Sequence, residues 1–112
     1  MNLSGVRRVG SVIRLRPSME EEYLRLHASV WPEVLRQIHD SGMRNYTIFL
    51  RDGWLFAYFE YVGDDFDADM ARMAEDPVTR DWWELTDPCQ QRLETAAEGE
   101  QWSPMREVFH AD

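Results

Sequence analysis

Tyr23, His27 and Trp31 stand four residues apart in the run EEYLRLHASVWPEV, and an adjacent pair, Trp82-Trp83, answers them downstream. Residues four apart on a helix share one face. A helical segment here therefore lines a groove with a phenol, an imidazole and an indole, a proton-transfer pair beside a flat apolar platform. Such a groove suits a small polar ring with one hydrophobic face, and a sugar fits that description.

His27 is the one histidine with chemistry around it, and an imidazole can act as acid or base near neutral pH. His39 falls in the last turn of its helix, where a cation suits the carbonyl end of the dipole, and reads as structural. His110 lies near the chain end, and its surroundings assign it no role. Three histidines so scattered lack metal-ligand spacing. Tyr46 opens a strand whose other inward positions, Ile48 and Leu50, are apolar, so its hydroxyl points into whatever space the helices leave. Trp82 and Trp83 differ by about 100° around a helix. One packs and one borders the groove, or a frayed helix lets both line it. Glu20-Glu21-Glu22 and Asp64-Asp65 read as helix-start charges favoured by the dipole. The chain contains no lysine, which excludes Schiff-base chemistry. It has no glycine-rich phosphate loop, nucleophile elbow or dinucleotide fingerprint, so no cofactor is expected.

The elements that must position these residues are legible in outline. Residues 8 to 16 alternate, with Val9, Ser11, Ile13 and Leu15 on one face, and predict a strand. Ser18 and Glu21 form a capping box that starts a helix near Met19. Pro32 kinks that helix near Val30 or restarts it as a second segment running to Ser41-Gly42, and Trp31 sits at the bend either way. Asp52-Gly53 predicts a two-residue hairpin turn between residues 44–50 and 55–61. Its register pairs Leu50 with Leu55, Ile48 with Ala57 and Tyr46 with Phe59 on one face, and Phe49 with Phe56 and Thr47 with Tyr58 on the other. Both faces are apolar at their centres, so the second face needs another layer, most simply a second copy of the same sheet. An acidic helix follows Gly63-Asp64-Asp65 to about Ala74, and Asp76-Pro77 caps the next, which Pro88 bends or stops after about Asp87. A further helical piece is expected through Ala96-Ala97 to Gly99, and the tail MREVFH alternates as a last strand. The order is β-α-β-β-α-β, the ferredoxin-like arrangement of an α+β protein, closing as a dimeric α/β barrel.

With 112 residues the chain has the length of one domain, spanning 1–112. A net charge of −9 disfavours nucleic acid and anionic membrane surfaces as partners. Five tryptophans exceed what a core this size needs, so some of those rings face a ligand or partner. Cys89 is the single cysteine, which excludes an internal disulfide and fits a reducing compartment. No apolar run reads as a signal peptide or membrane span, and the cytoplasm is the expected location.

Taken in order, Glu22-Tyr23, His27, Trp31-Pro32-Glu33, Asn45-Tyr46, Trp82-Trp83 and Glu107-Val108-Phe109 resemble the L-rhamnose mutarotase family along nearly the whole chain. Each motif alone is weak, and the ordered set at matching separations is specific. The resemblance implies a dimeric ferredoxin-like α/β barrel that interconverts the α and β anomers of a 6-deoxy-L-sugar without a cofactor. It assigns His27 as proton donor and Tyr23, Tyr46, Trp82 and Trp83 as substrate contacts. The chain departs from the family at Ala28-Ser29-Val30, where many rhamnose-type members carry Asn-Pro-Ile. L-Rhamnose is the first expected substrate and L-fucose the next. A cofactor-free monooxygenase of the dimeric α/β-barrel type, or a non-catalytic sugar-binding dimer, is the alternative such a fold allows.

Overall fold

The alternating run becomes β1 (Arg7–Leu15) in a computed structural model that describes residues 6–112. There follow α1 (Glu20–His27), α2 (Pro32–Asp40), β2 (Met43–Arg51), β3 (Trp54–Tyr61), α3 (Phe66–Glu75), α4 (Pro77–Thr86), β4 (Gln90–Gln91) and β5 (Ser103–Met105). The antiparallel sheet runs β2-β3-β1, with β4 and β5 both on the outer edge of β1. This is the ferredoxin-like order, with each helical crossover broken in two and the last strand split. Among the described residues, no helix is long and apolar enough to cross a membrane.

One sheet face carries the core. Ile13, Leu15 and Leu55 are almost fully buried and pack with Tyr23 and Cys89. A second cluster joins Leu26, Val34 and Trp82. Among the described residues, the opposite face, on which Phe49, Phe56 and Val12 lie side by side, has no helix over it, and Phe49 keeps 63% of its surface exposed.

The hairpin has the expected register from Arg51↔Trp54 to Thr47↔Tyr58, and Asp52 and Gly53 take the positive φ angles of the tight turn. The Tyr46–Phe59 pair is replaced by a β-bulge. Asn45 and Tyr46 together oppose Phe59, because the register shifts between Arg44 and Thr47. Asn45, with φ of 54°, absorbs the extra residue, and its Nδ2 donates to Glu60 across the ladder. The bulge puts buried Met43 on the same side as Tyr46, Ile48 and Leu50.

The expected capping box does not form. Pro17 opens a 3-10 turn through Met19 that places Ser18 inside the turn, and Met19 precedes α1 without a side-chain cap. The second alternative at Pro32 holds: α1 ends at His27, and α2 restarts with Trp31 extended at its N-cap. Asp76 caps α4 as expected, and Asp65, read only as a helix-start charge, caps α3; each accepts from a backbone N–H three residues on.

The C-terminal part differs most from expectation. No helix covers Gln90–Ala97; Gln90 and Gln91 instead pair with Leu15 and Arg14, and the Arg16 N–H donates to the Cys89 carbonyl. The free edge of β1 needs hydrogen-bond partners, and this tertiary demand overrides helix propensity. The Arg92 guanidinium then closes the following loop on the carbonyls of Ala97 and Glu100. The final strand covers Ser103–Met105, so of MREVFH only Met105 joins the ladder. Beyond it the tail keeps the strand's register through side chains, with Arg8 forming a bidentate pair with Glu107 at 2.9 and 3.2 Å.

Candidate active site

Between the inner sheet face and the helices lies a cavity of about 600 Å³, within the range of natural small-molecule sites. Its wall is largely apolar, from Leu24, Val34 and Ile38 on the helices to Met43, Ile48, Leu50 and Phe59 on the sheet. The polar groups that interrupt it include Tyr23, His27, Tyr46, Trp83, Asp87, Gln90 and Gln101. All five expected site residues, Tyr23, His27, Tyr46, Trp82 and Trp83, line this one space.

Of the expected three-residue stripe only Tyr23 and His27 share a helix face, with ring centroids 4.2 Å apart. Helix α1 ends at His27, and Trp31, the extended N-cap of α2, is not among the residues lining the cavity. His27 then meets the edge of Trp82 at 5.4 Å, and Trp82 meets Trp31 at 5.2 Å. Trp31 thus lies behind Trp82 and braces it. Trp82 packs into the core while Trp83 remains half-buried, and α4, without fraying, gives both rings to the cavity.

His27 Nδ1 lies 2.9 Å from the Tyr23 carbonyl oxygen. A carbonyl can only accept, so Nδ1 carries the hydrogen and the neutral ring keeps its lone pair on Nε2. The ring can therefore take a proton at Nε2 and, once charged, return it there.

Tyr23 is buried, and its hydroxyl accepts from Gln90 Nε2 at 3.2 Å, while Gln101 Nε2 donates to Gln90 Oε1 at 3.1 Å. Burial pushes the Tyr23 phenol well above its ordinary value. Tyr46 keeps 39% of its surface, yet that surface borders the cavity and the ring meets Phe59 edge-on at 5.8 Å. Desolvation pushes its phenol up to about 12. Both phenols therefore stay protonated near neutral pH and are able to donate a hydrogen bond rather than act as bases.

Sequence reasoning missed Asp87, Gln90, Gln101 and Trp102. Asp87 follows α4 on the cavity wall, and burial pushes its carboxyl up. The two glutamines are eleven positions apart in a stretch expected to be partly helical, and only the Arg92-closed loop brings them together. The departure at Ala28-Ser29-Val30 is a tight turn whose first two residues face solvent, and Val30 alone reaches the cavity.

A family model for L-rhamnose mutarotase matches residues 8–111. An L-rhamnose mutarotase of Lactiplantibacillus plantarum is 35% identical over 107 residues, covering 94% of this chain and 98% of the relative. Among solved structures, an L-rhamnose mutarotase of Formosa agariphila aligns with a TM-score of 0.73 at 23% identity, over 95% of this chain and 99% of that one. An antibiotic biosynthesis monooxygenase aligns with a TM-score of 0.57 at 13% identity, over 92% and 98% of the two chains. Identities this low speak for a shared fold and leave the chemistry open. The sequence match is different in kind, because it runs from β1 through the stripe and the tryptophan pair to the tail, and by it the protein belongs to the L-rhamnose mutarotase family.

Proposed function

We propose that this protein is an isomerase that interconverts the α and β anomers of a 6-deoxy-L-hexose, L-rhamnose first and L-fucose next, by cofactor-free acid-base catalysis. The observation that carries this reading is His27, its Nδ1 tied to the Tyr23 carbonyl and its ring between a phenol and an indole on the cavity wall.

Nε2 takes the proton of the anomeric hydroxyl while the bond from the anomeric carbon to the ring oxygen breaks, giving an open aldehyde. The imidazolium so formed donates to the ring oxygen. Rotation about the first carbon–carbon bond and the reverse steps close the ring on the other face. Tyr23 and Tyr46 donate hydrogen bonds to sugar oxygens. An indole of Trp82 or Trp83 covers the apolar face of the ring, and the deoxy methyl rests on the aliphatic wall. The sugar is neutral, so the chain's net charge of −9 neither attracts nor selects it.

The working unit is a homodimer in the cytoplasm, closed through the uncovered sheet face. Phe49, Phe56, Met105, Val108 and Phe109 all leave apolar surface outside the core, with Val108 and Phe109 82% and 81% exposed. A patch of that kind fits a protein interface. The lone Cys89, buried and unpaired, suits a reducing compartment.

Saturation-transfer NMR on L-rhamnose and L-fucose tests the reading, with His27→Ala beside wild type. Exchange above the buffer rate with either sugar is expected. A wild-type rate no higher than buffer for both sugars overturns the mutarotase reading, and full activity in His27→Ala overturns the assignment of the ring.

A further inference from the structure

The hydrogen bonds behind Tyr23 have a direction. Gln101 Nε2 donates to Gln90 Oε1, so the Gln90 amide turns its nitrogen to Tyr23 and donates to the phenol oxygen. A phenol has one hydrogen. With its oxygen already serving as acceptor for Gln90, the Tyr23 hydrogen is left to point away from the glutamine pair. Tyr23, Gln90 and Gln101 all border the cavity, and His27 lies 4.2 Å from the Tyr23 ring.

We propose that the Gln101–Gln90 pair is a positioning relay that fixes Tyr23 as a hydrogen-bond donor aimed at the substrate oxygen beside His27. Gln101 sets the rotation of the Gln90 amide, and Gln90 sets the rotation of the hydroxyl. The inference rests on the anomer-exchange reading and deepens it. When the ring bond breaks, charge grows on the former ring oxygen before the imidazolium returns the proton. A donor already aimed there stabilises that charge without reorganising. If the amide were turned over, the Gln90 carbonyl would take the Tyr23 hydrogen, and the cavity would face an oxygen lone pair. The chain would then bind sugar with little change and catalyse poorly. The high proton affinity of the buried phenol adds to this arrangement, because the hydrogen is not lost in the working pH range.

Gln101→Glu reverses the relay, since a carboxylate can only accept and draws the Gln90 nitrogen towards itself. Gln101→Met removes the lock without reversing it. The expected result is a kcat about 10- to 100-fold lower in Gln101→Glu, a smaller loss in Gln101→Met, and KM within about threefold of wild type for both. A collapsed cavity would instead raise KM and lower the melting temperature. A sugar-independent reading comes from the nuclear Overhauser effect between the Gln90 side-chain amide hydrogens and the Tyr23 ring hydrogens ortho to the hydroxyl. It is expected in wild type and lost in Gln101→Glu. Wild-type kcat in Gln101→Glu, or the absence of this Overhauser contact in wild type, overturns the relay. Because the contact needs no sugar, it decides the orientation even if wild type exchanges no anomers, a result that overturns the proposed activity alone.

Discussion

The two faces of the sheet are built from the same strands and the same kinds of residue, yet they differ in fate. Leu55 and Phe56 are neighbours on β3; the first is 1% exposed under the helices, the second 38% exposed on the uncovered side. On the inner face the apolar wall is interrupted by hydroxyl, imidazole and amide groups that converge on one cavity. On the outer face the polar groups pair with one another at the rim, Arg8 with Glu107 and Tyr58 with Glu60. Alternation decides which residues share a face, and the helices decide which face becomes a site.

The sharpest way to break this comparison is at His27. His27→Ala should slow anomer exchange by about 10²- to 10⁴-fold and leave sedimentation unchanged, since the ring lies on the inner side only. A variant that loses assembly as well would mean that the two faces are coupled. Next in size is Leu55→Ala, expected to cost about 2–5 kcal/mol in urea unfolding. Phe56→Ala, one residue away, should cost under about 1 kcal/mol in monomer stability. Equal losses would show that the outer face is as well packed as the inner. Phe56→Asp with Phe109→Asp should weaken self-association about 30-fold or more, measured by sedimentation equilibrium. A pair of substitutions without effect there would remove the outer face as the proposed dimer surface.

The smallest effect is an alkaline one. The Tyr46 phenol is held up to about 12 in the fold by desolvation, against about 10 in an unfolded chain. Between those values the unfolded chain has released a proton that the native chain keeps, so stability falls as pH rises through that window and is untouched below it. Urea midpoints at pH 9 and pH 11 should show the drop, and Tyr46→Phe should reduce it more than Tyr58→Phe on the outer face.

The parts of this division that depend on short-range pattern are legible in the amino-acid order alone. Alternation places Ile13, Leu15, Leu55 and Ala57 together, Asp52-Gly53 fixes the hairpin register, and fourfold spacing joins Tyr23 to His27. The bulge at Asn45 is not legible there, because one inserted residue leaves the composition of a strand unchanged. Nor is the stretch after Cys89, where a helical piece is expected through Ala96-Ala97 while Gln90 and Gln91 instead answer the free edge of β1. The Gln90–Gln101 contact follows from that long-range pairing and from Arg92 closing the loop, so no local signal carries it. The tail alternates as a strand does, but alternation sets which side chains share a face and does not supply a hydrogen-bonding neighbour.

The edge contact between His27 and Trp82 has an optical consequence. An imidazolium accepts an electron from an excited indole far more readily than a neutral imidazole does. With ring centroids 5.4 Å apart, the emission of Trp82 is expected to dim whenever His27 holds its second proton. The protein would then carry an intrinsic, label-free indicator of the charge on its proposed acid-base group. A pH series of emission spectra, with His27→Ala as the blank, would follow that charge in the empty site and again as a sugar is added.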